Sequence, residues 1–235
     1  MLTTLQNSIV FNPTWITQHK LKKSLGKAVN ALDIQEKDKW LDVGCGTKPY
    51  EFLLSSANYI GIDVVESGRA ENLKSPDIYY DGEILPFQEG CFDGVLCTQA
   101  LEHVPDAHVL LSEIHRVIKP GGWLIISVPF VWQEHEEPYD FFRFTRFGIA
   151  ELLKKAGFDV VNVAKDTGAV ETLAVTLNVY IIHNLVPSSI RGFGRLYNLF
   201  FCFPIQTIAL ILQMIFPDQG QLYLNLVVRA KKDAF

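Results

Sequence analysis

Residues 40–47, Trp40-Leu41-Asp42-Val43-Gly44-Cys45-Gly46-Thr47, decide the fold. An apolar strand runs into a carboxylate and then into two glycines separated by Cys45. Nineteen residues past Gly44 a second strand, Tyr59-Ile60-Gly61-Ile62, ends on Asp63, with Val64 behind it. Glycines after a strand let the backbone approach a ligand closely. An acid closing the next strand is placed to accept hydrogen bonds from a ribose diol. The pair reads as a nucleoside-cofactor site on an open α/β sheet.

The residues after Gly46 narrow the cofactor. A dinucleotide fingerprint places a third glycine three residues on, where a helix N-terminus receives the pyrophosphate. Here Thr47, Lys48 and Pro49 follow. Pro49 suits the first turn of a helix but offers no N–H to a phosphate. A cofactor without a pyrophosphate fits better, and a nucleotide-dependent oxidoreductase fits poorly.

At this point the segment resembles motif I of the class I S-adenosylmethionine-dependent methyltransferases. Asp81-Gly82-Glu83-Ile84-Leu85-Pro86-Phe87 is similar to the family's adenine-side motif, and Phe92-Asp93-Gly94-Val95-Leu96-Cys97 to its fourth strand. Leu101-Glu102-His103-Val104 and Arg116-Val117-Ile118-Lys119-Pro120-Gly121-Gly122 match the two segments that follow. These motifs cover residues 38–158 in the family's order, and the chain is most similar to the small bacterial type 11 methyltransferases.

The resemblance implies a doubly wound, Rossmann-like sheet of seven strands with an antiparallel last strand. Helices cover both faces, and an apolar helical insertion separates strands six and seven. It also implies roles. Backbone around Asp42, Gly44, Cys45 and Gly46 should face the methionyl end of S-adenosylmethionine, with Asp42 or a neighbouring carbonyl near its amine. Asp63 and Val64 should flank the ribose, with Asp63 holding the hydroxyls. Asp81, Gly82 and Glu83 should meet the adenine, unless Asp81 is simply a turn residue. Thr98 and Gln99 should line the floor below the methionyl group.

Composition sets the outer limits. The 235 residues suffice for one α/β domain with a sizeable core. A net charge of −5 argues against a nucleic-acid partner. Cys45, Cys91, Cys97 and Cys202 form no C-x-x-C pair, which fits a reducing compartment. Residues 1–13 lack a cationic start and an apolar core, so a cytoplasmic protein is expected.

Periodicity organises the remainder. An opening helical cap is expected over 14–35, with Leu21, Leu25, Val29 and Leu32 leaning to one face and Lys20, Lys23 and Lys27 on another. The cofactor-binding core spans 38–167. Its strands are expected near 39–43, 58–63, 77–80, 92–97 and 123–128, with a sixth from Asp159. A helix enters at Pro105-Asp106, and Thr145 is a plausible N-cap for the next one. Residues 168–217 form an apolar lid and 221–231 a last strand that includes Leu222–Val228. No charge interrupts Leu196–Pro217, a stretch nearly long enough to cross a bilayer. A single crossing would strand the last strand on the far side, so two readings stay open. One is a lid packed on the domain or on a partner subunit in a homodimer. The other is a hairpin lying in the membrane interface, which would make the protein peripheral at the inner face.

The acceptor is expected at the loop after the fifth strand, Trp132 to Arg143, which carries four carboxylates, a histidine and several aromatics in twelve residues. His135, Tyr139 and Asp140 are its candidate catalytic groups, with His135 as a base for a sugar or phenolic hydroxyl. Equally, Asp140 pairs with Arg143 and the glutamates are solvated. His103 is a further candidate. In some small-molecule O-methyltransferases of the family, a Glu three residues ahead of the Glu-His pair joins it to hold a divalent cation. That position is Gln99 here, a neutral amide, so no metal is expected. The expected function is methyl transfer to a small molecule, a sugar or lipid-linked glycan intermediate. The alternative is a non-catalytic cofactor-binding or membrane-recruited assembly module.

S-adenosylmethionine or its homocysteine product should raise the melting temperature, and a nicotinamide dinucleotide should not. At a hundredfold excess over the dissociation constant the stabilisation is roughly 2.7 kcal/mol. The reverse pattern in thermal-shift measurements would overturn the cofactor assignment.

Overall fold

A computed structural model describes residue 9 and residues 12–70, 73–186 and 194–234. The expected apolar lid is therefore described except for residues 187–193. The chain forms two compact units, residues 1–23 with 165–225 and residues 24–164 with 226–235. Helix α1 (Trp15–Asn30) begins in the first and ends in the second.

The larger unit is built on a seven-stranded sheet. Its strands are β1 (Lys39–Val43), β2 (Asn58–Val64), β3 (Ile78–Tyr80), β4 (Phe92–Thr98), β5 (Ile118–Pro129), β6 (Phe158–Lys165) and β7 (Asn225–Lys232), in the order β3-β2-β1-β4-β5-β7-β6. β1 pairs in parallel with both β2 and β4, and β5 extends the parallel run. The last strand is antiparallel to its neighbours. Central strands of a parallel sheet are covered on both faces and read as continuous apolar runs. Leu41, Val95, Leu96, Leu124, Ile125 and Ile126 are accordingly all buried. Helices α2 (Ala107–Val117) and α3 (Arg146–Lys155) start where expected. Asp106 accepts from the N–H groups of His108 and Val109, and Thr145 from that of Gly148.

Two strand boundaries differ from expectation. β5 begins at Ile118, ahead of Gly121-Gly122, and its register against β4 shifts between Phe92 and Gly94. A Cβ on Gly122 would meet Ile118 Cγ2 at 2.6 Å and the Asp93 carbonyl at 2.8 Å, so the glycine permits the irregularity. The last strand starts at Asn225 rather than Leu222. Side chains intercept the earlier N–H groups: Leu224 donates to Thr167 Oγ1 and Asn225 to Asp166 Oδ1.

The smaller unit contains α4 (Ala169–Tyr180), a π-turn over Ile181–Leu185, and a helical run from Gly194 through a π-segment into α5 (Phe203–Ile215). α5 is inside out. Gln206 is fully buried, accepting from the Ile16 N–H and donating to the Asn12 carbonyl. Gln213 Oε1 accepts from the Val170 N–H at 3.0 Å. Ile208, Ile211, Met214 and Ile215 instead face outward, as do Phe200 and Phe201 before them. Of the run's described side chains only Cys202, Gln206 and Ala209 are buried, so most of its large apolar groups stay at the surface.

Trp40 lies opposite Gly94 in the β1–β4 pairing, and a Cβ on Gly94 would fall 2.5 Å from the indole ring. Gly94→Ala should therefore overpack the sheet and cost about 1–3 kcal/mol in urea denaturation. An unchanged midpoint would show that the ring yields freely.

Candidate active site

The loop after β1 is shaped by the strand beside it. The N–H groups of Gly44 and Cys45 both donate to the Ile62 carbonyl, at 2.9 and 3.0 Å. Gly44 has φ +71°, and a Cβ there would lie 2.5 Å from the Ala100 Cβ. Only glycine satisfies both conditions. The Gly46 N–H donates to Asp63 Oδ2 at 2.8 Å, and the Val64 N–H donates to Oδ1 at 2.8 Å. Lys74, itself buried, donates to the Val64 carbonyl and lies 3.7 Å from the same carboxylate. The carboxylate is thus oriented by main chain and faced by a cation, while each oxygen keeps a lone pair for a ligand hydroxyl.

A cavity of about 110 Å³ opens at the carboxyl ends of β1, β2 and β4. Gly44, Gly46, Asp63, Val64 and Gln99 line it, and His103, Glu136 and Tyr139 close another side. Gln99 takes a left-handed φ of +50° as the chain leaves β4, with its N–H on the Ser127 carbonyl and its amide on the Ser127 hydroxyl. Backbone held in such a region costs of order 1–3 kcal/mol and clusters at functional sites.

Three other candidates sit behind the lining. Asp42 is 1 % exposed. Its Oδ2 accepts from the Tyr59 hydroxyl at 2.6 Å and its Oδ1 has no partner. Burial raises its pKa to about 7, against the Tyr59 hydrogen bond and with the help of nearby Asp63. Cys45 is buried against Gly61, and Thr98 is buried opposite Ser127 on β5. Asp81 Oδ1 accepts from the N–H groups of Glu83 and Ile84, the turn arrangement that the sequence left open. Gly82 and Glu83 line an adjacent groove that shares Val104 and Leu110 with the main cavity.

Sequence reasoning missed Arg69 and Lys74, and read Glu136 as a solvated loop glutamate, whereas it is ion-paired. Arg69 and Glu136 form an ion pair at 2.8 Å beside the cavity. Their loops carry no periodic signal. A Cβ on Gly68 would collide with the Glu136 carbonyl, so the two loops meet closely there.

On the acceptor side, Arg143 organises the loop. Its guanidinium donates to both oxygens of Asp140, at 2.6 and 2.7 Å, and to the carbonyls of Trp132, Gln133 and Phe142. That pairing holds the Asp140 carboxyl well below the usual carboxylate range. Asp140 in turn accepts from the His135 N–H at 2.9 Å and contacts its Nδ1 at 3.2 Å. Asp140 thereby bridges Arg143 and His135, and the expected pair with Arg143 is present. His103 Nδ1 lies 2.6 Å from the Tyr139 carbonyl, and the His103 and His135 rings meet edge to face at 4.8 Å. Glu102 lies close to both, fully buried, with neither carboxyl oxygen partnered; burial pushes it up to about 8.

A sheet of this order with an antiparallel last strand is the Rossmann-like methyltransferase fold, and its glycine turn faces an acid at the end of the next strand. Residues 41–126 match the family model described as Methyltransferase domain. Among curated relatives, demethylmenaquinone methyltransferase of Staphylococcus epidermidis is 32% identical over 120 residues, 46% of this chain and 49% of the relative. The Staphylococcus aureus enzyme of that name is 33% identical over 135 residues, 52% of each chain. The chain spans about half the length of the curated relatives it matches. Among solved structures, the [4+2]-cyclase SpnF superposes with a TM-score of 0.58 at 14% identity, covering 91% of this chain and 81% of the cyclase. Phosphoethanolamine N-methyltransferase 2 of Haemonchus contortus, in complex with S-adenosyl-L-methionine, gives 0.55 at 17% identity, covering 98% and 59%. At such identities the likeness is one of fold, and the cyclase illustrates how far chemistry varies on it.

The buried Asp42 gives a pH signature. A carboxyl whose folded pKa is raised keeps its proton in the folded chain, so its contribution is present below the ordinary 3.8 and is lost as pH rises through about 7. Asp42→Asn should flatten the stability–pH curve across that window in ligand-free protein. Parallel curves for the two proteins in chemical denaturation at pH 4.5 and 7.5 would refute it.

Proposed function

We propose that this protein transfers the methyl group of S-adenosylmethionine to a small-molecule acceptor. The observation that carries this reading is the placement of two halves around one cavity: the Gly44–Gly46 turn with Asp63, and the His103–Tyr139 face. A sulfonium methyl is already electrophilic, so the protein's task is to align a nucleophile with the carbon–sulfur bond and to exclude water. Asp63 takes the ribose hydroxyls, the Gly44 and Gly46 backbone admits the methionyl chain, and Gln99 forms the floor. His103, Tyr139 and His135 meet the acceptor, and Asp140 positions His135. The relatives are named for demethylmenaquinone as acceptor, which supports a small molecule here too, and a sugar or lipid-linked glycan intermediate remains the class we favour.

The inside-out helix favours a membrane-borne acceptor. The stretch Asn198–Ile215 has a mean hydropathy of 1.7 and is only 17% buried. The chain leaves the sheet at the end of β6 and re-enters it at β7, so this run returns to the side it left. We place it flat in the lipid interface, with a peripheral protein as the result, rather than in a homodimer.

Asp63→Ala should weaken binding of the homocysteine product by about 1.5–3 kcal/mol in calorimetry, the loss of charge-assisted bonds to the ribose. A folded variant with unchanged affinity would assign the ribose to another residue. Replacing Phe200, Ile211 and Ile215 together by serine should release the protein from anionic lipid vesicles and spare cofactor binding. Wild-type protein that ignores vesicles would refute the interfacial reading, and a dimer split by the same changes would replace it. A metabolite screen that finds no methyl transfer in cofactor-bound protein would favour a non-catalytic module.

A further inference from the structure

We propose that Glu102, His103 and His135 hold a divalent first-row transition cation at the edge of the cofactor cavity. Each offers one ligand atom, and the three atoms lie within 4.8 Å of one another. Glu102 is fully buried with both oxygens unpartnered. A buried polar group with no partner is costly, and a cation would supply one.

The two imidazoles are already arranged as ligands. A carbonyl only accepts, so His103 Nδ1, 2.6 Å from the Tyr139 carbonyl, carries the proton. Asp140, clasped by Arg143, is an acceptor as well, so His135 Nδ1 donates to it at 3.2 Å. Both rings are thereby fixed in the tautomer that leaves Nε2 as a bare lone pair, the usual outer-shell support of metal-binding histidines. The position three residues ahead of the Glu-His pair is Gln99, a neutral amide, so no metal is expected from the sequence. The fold supplies the third ligand from the distant loop instead. Two imidazoles and one carboxylate suit Mn²⁺, Fe²⁺, Co²⁺ or Zn²⁺, whereas Mg²⁺ and Ca²⁺ want shells of oxygen.

Three protein ligands leave coordination positions open, and His103 also lines the cavity. The cation would bind an acceptor hydroxyl there and lower its pKa. This role, unlike the site itself, rests on the methyl-transfer reading. The hydroxyl proton passes to solvent, and the oxygen electron pair forms the bond to the methyl carbon. The carbon–sulfur pair returns to sulfur, which leaves as a neutral thioether. A general base at His135 is then unnecessary.

The test titrates the full chain, stripped with chelator, with Co²⁺, following visible ligand-field bands and calorimetric heat. Binding of the homocysteine product is measured separately without metal. One equivalent of Co²⁺ should bind, and Glu102→Gln and His135→Ala should each weaken it about tenfold or more. Both variants should retain the product's affinity, which also reports their folding. Wild-type protein that binds the product but takes up no Co²⁺, or variants that bind Co²⁺ as tightly as wild type, would overturn the site. Failure to bind the product would instead overturn the cofactor reading, with the Co²⁺ titration still deciding the cation site.

Discussion

The hydrogen bond from the Gly46 N–H to Asp63 is the joint on which the site depends. It ties the loop after β1 to the end of β2, where the Ile62 carbonyl already holds the two preceding N–H groups. Three donors of the turn are thus spent on the neighbouring strand, and the turn has little freedom left. Lys74, also in the cavity lining, faces the same carboxylate, so its charge is balanced before any ligand arrives. A pocket arranged in advance in this way loses little entropy on binding, and more of the contact energy appears as affinity.

The opposite wall obtains its rigidity differently. Residues 132–143 contain no helix and no strand. One guanidinium, that of Arg143, does the work of a ladder by gathering three carbonyls and one carboxylate. Loops on a rigid scaffold are where proteins vary their chemistry. Here the loop has a scaffold of its own, so its side chains can be as well placed as those on the strands.

Much of this was legible in the chain itself, for physical reasons. β1, β4 and the latter part of β5 announce themselves because strands covered on both faces must be apolar throughout. Gly44 and Asp63 announce themselves because few residues tolerate a close approach at positive φ or an anion at a strand end. The start of β7 was hidden because side chains, Thr167 and Asp166, replace ladder partners, and no periodicity encodes that. The places of Arg69, Lys74 and Glu136 at the cavity were hidden because all three reach it from loops. Asp42 shows the limit of motif reading: it stands beside the glycine turn in sequence, yet its side chain turns into the sheet toward Tyr59. The isolation of Glu102 emerges only when 102, 103 and 135 are brought together.

The long excursion between β6 and β7 also bears on how the sheet assembles. Residues 166–224 intervene between two strands that end up side by side. Closing a flexible loop roughly sixfold longer than a ten-residue connection adds only about 1.5 kcal/mol of entropy cost. The equilibrium hardly notices such an insertion. The order of events does, because pairings distant in sequence form slowly. β1, β2 and β4, close together along the chain, can register first, while β7 has to wait for its partners on both sides. Until it arrives, β5 and β6 present open edges, and unpaired edges are where sheets recruit the wrong strand. For a chain that also carries an uncharged apolar helix, the interval before β7 docks is the period of greatest exposure to aggregation.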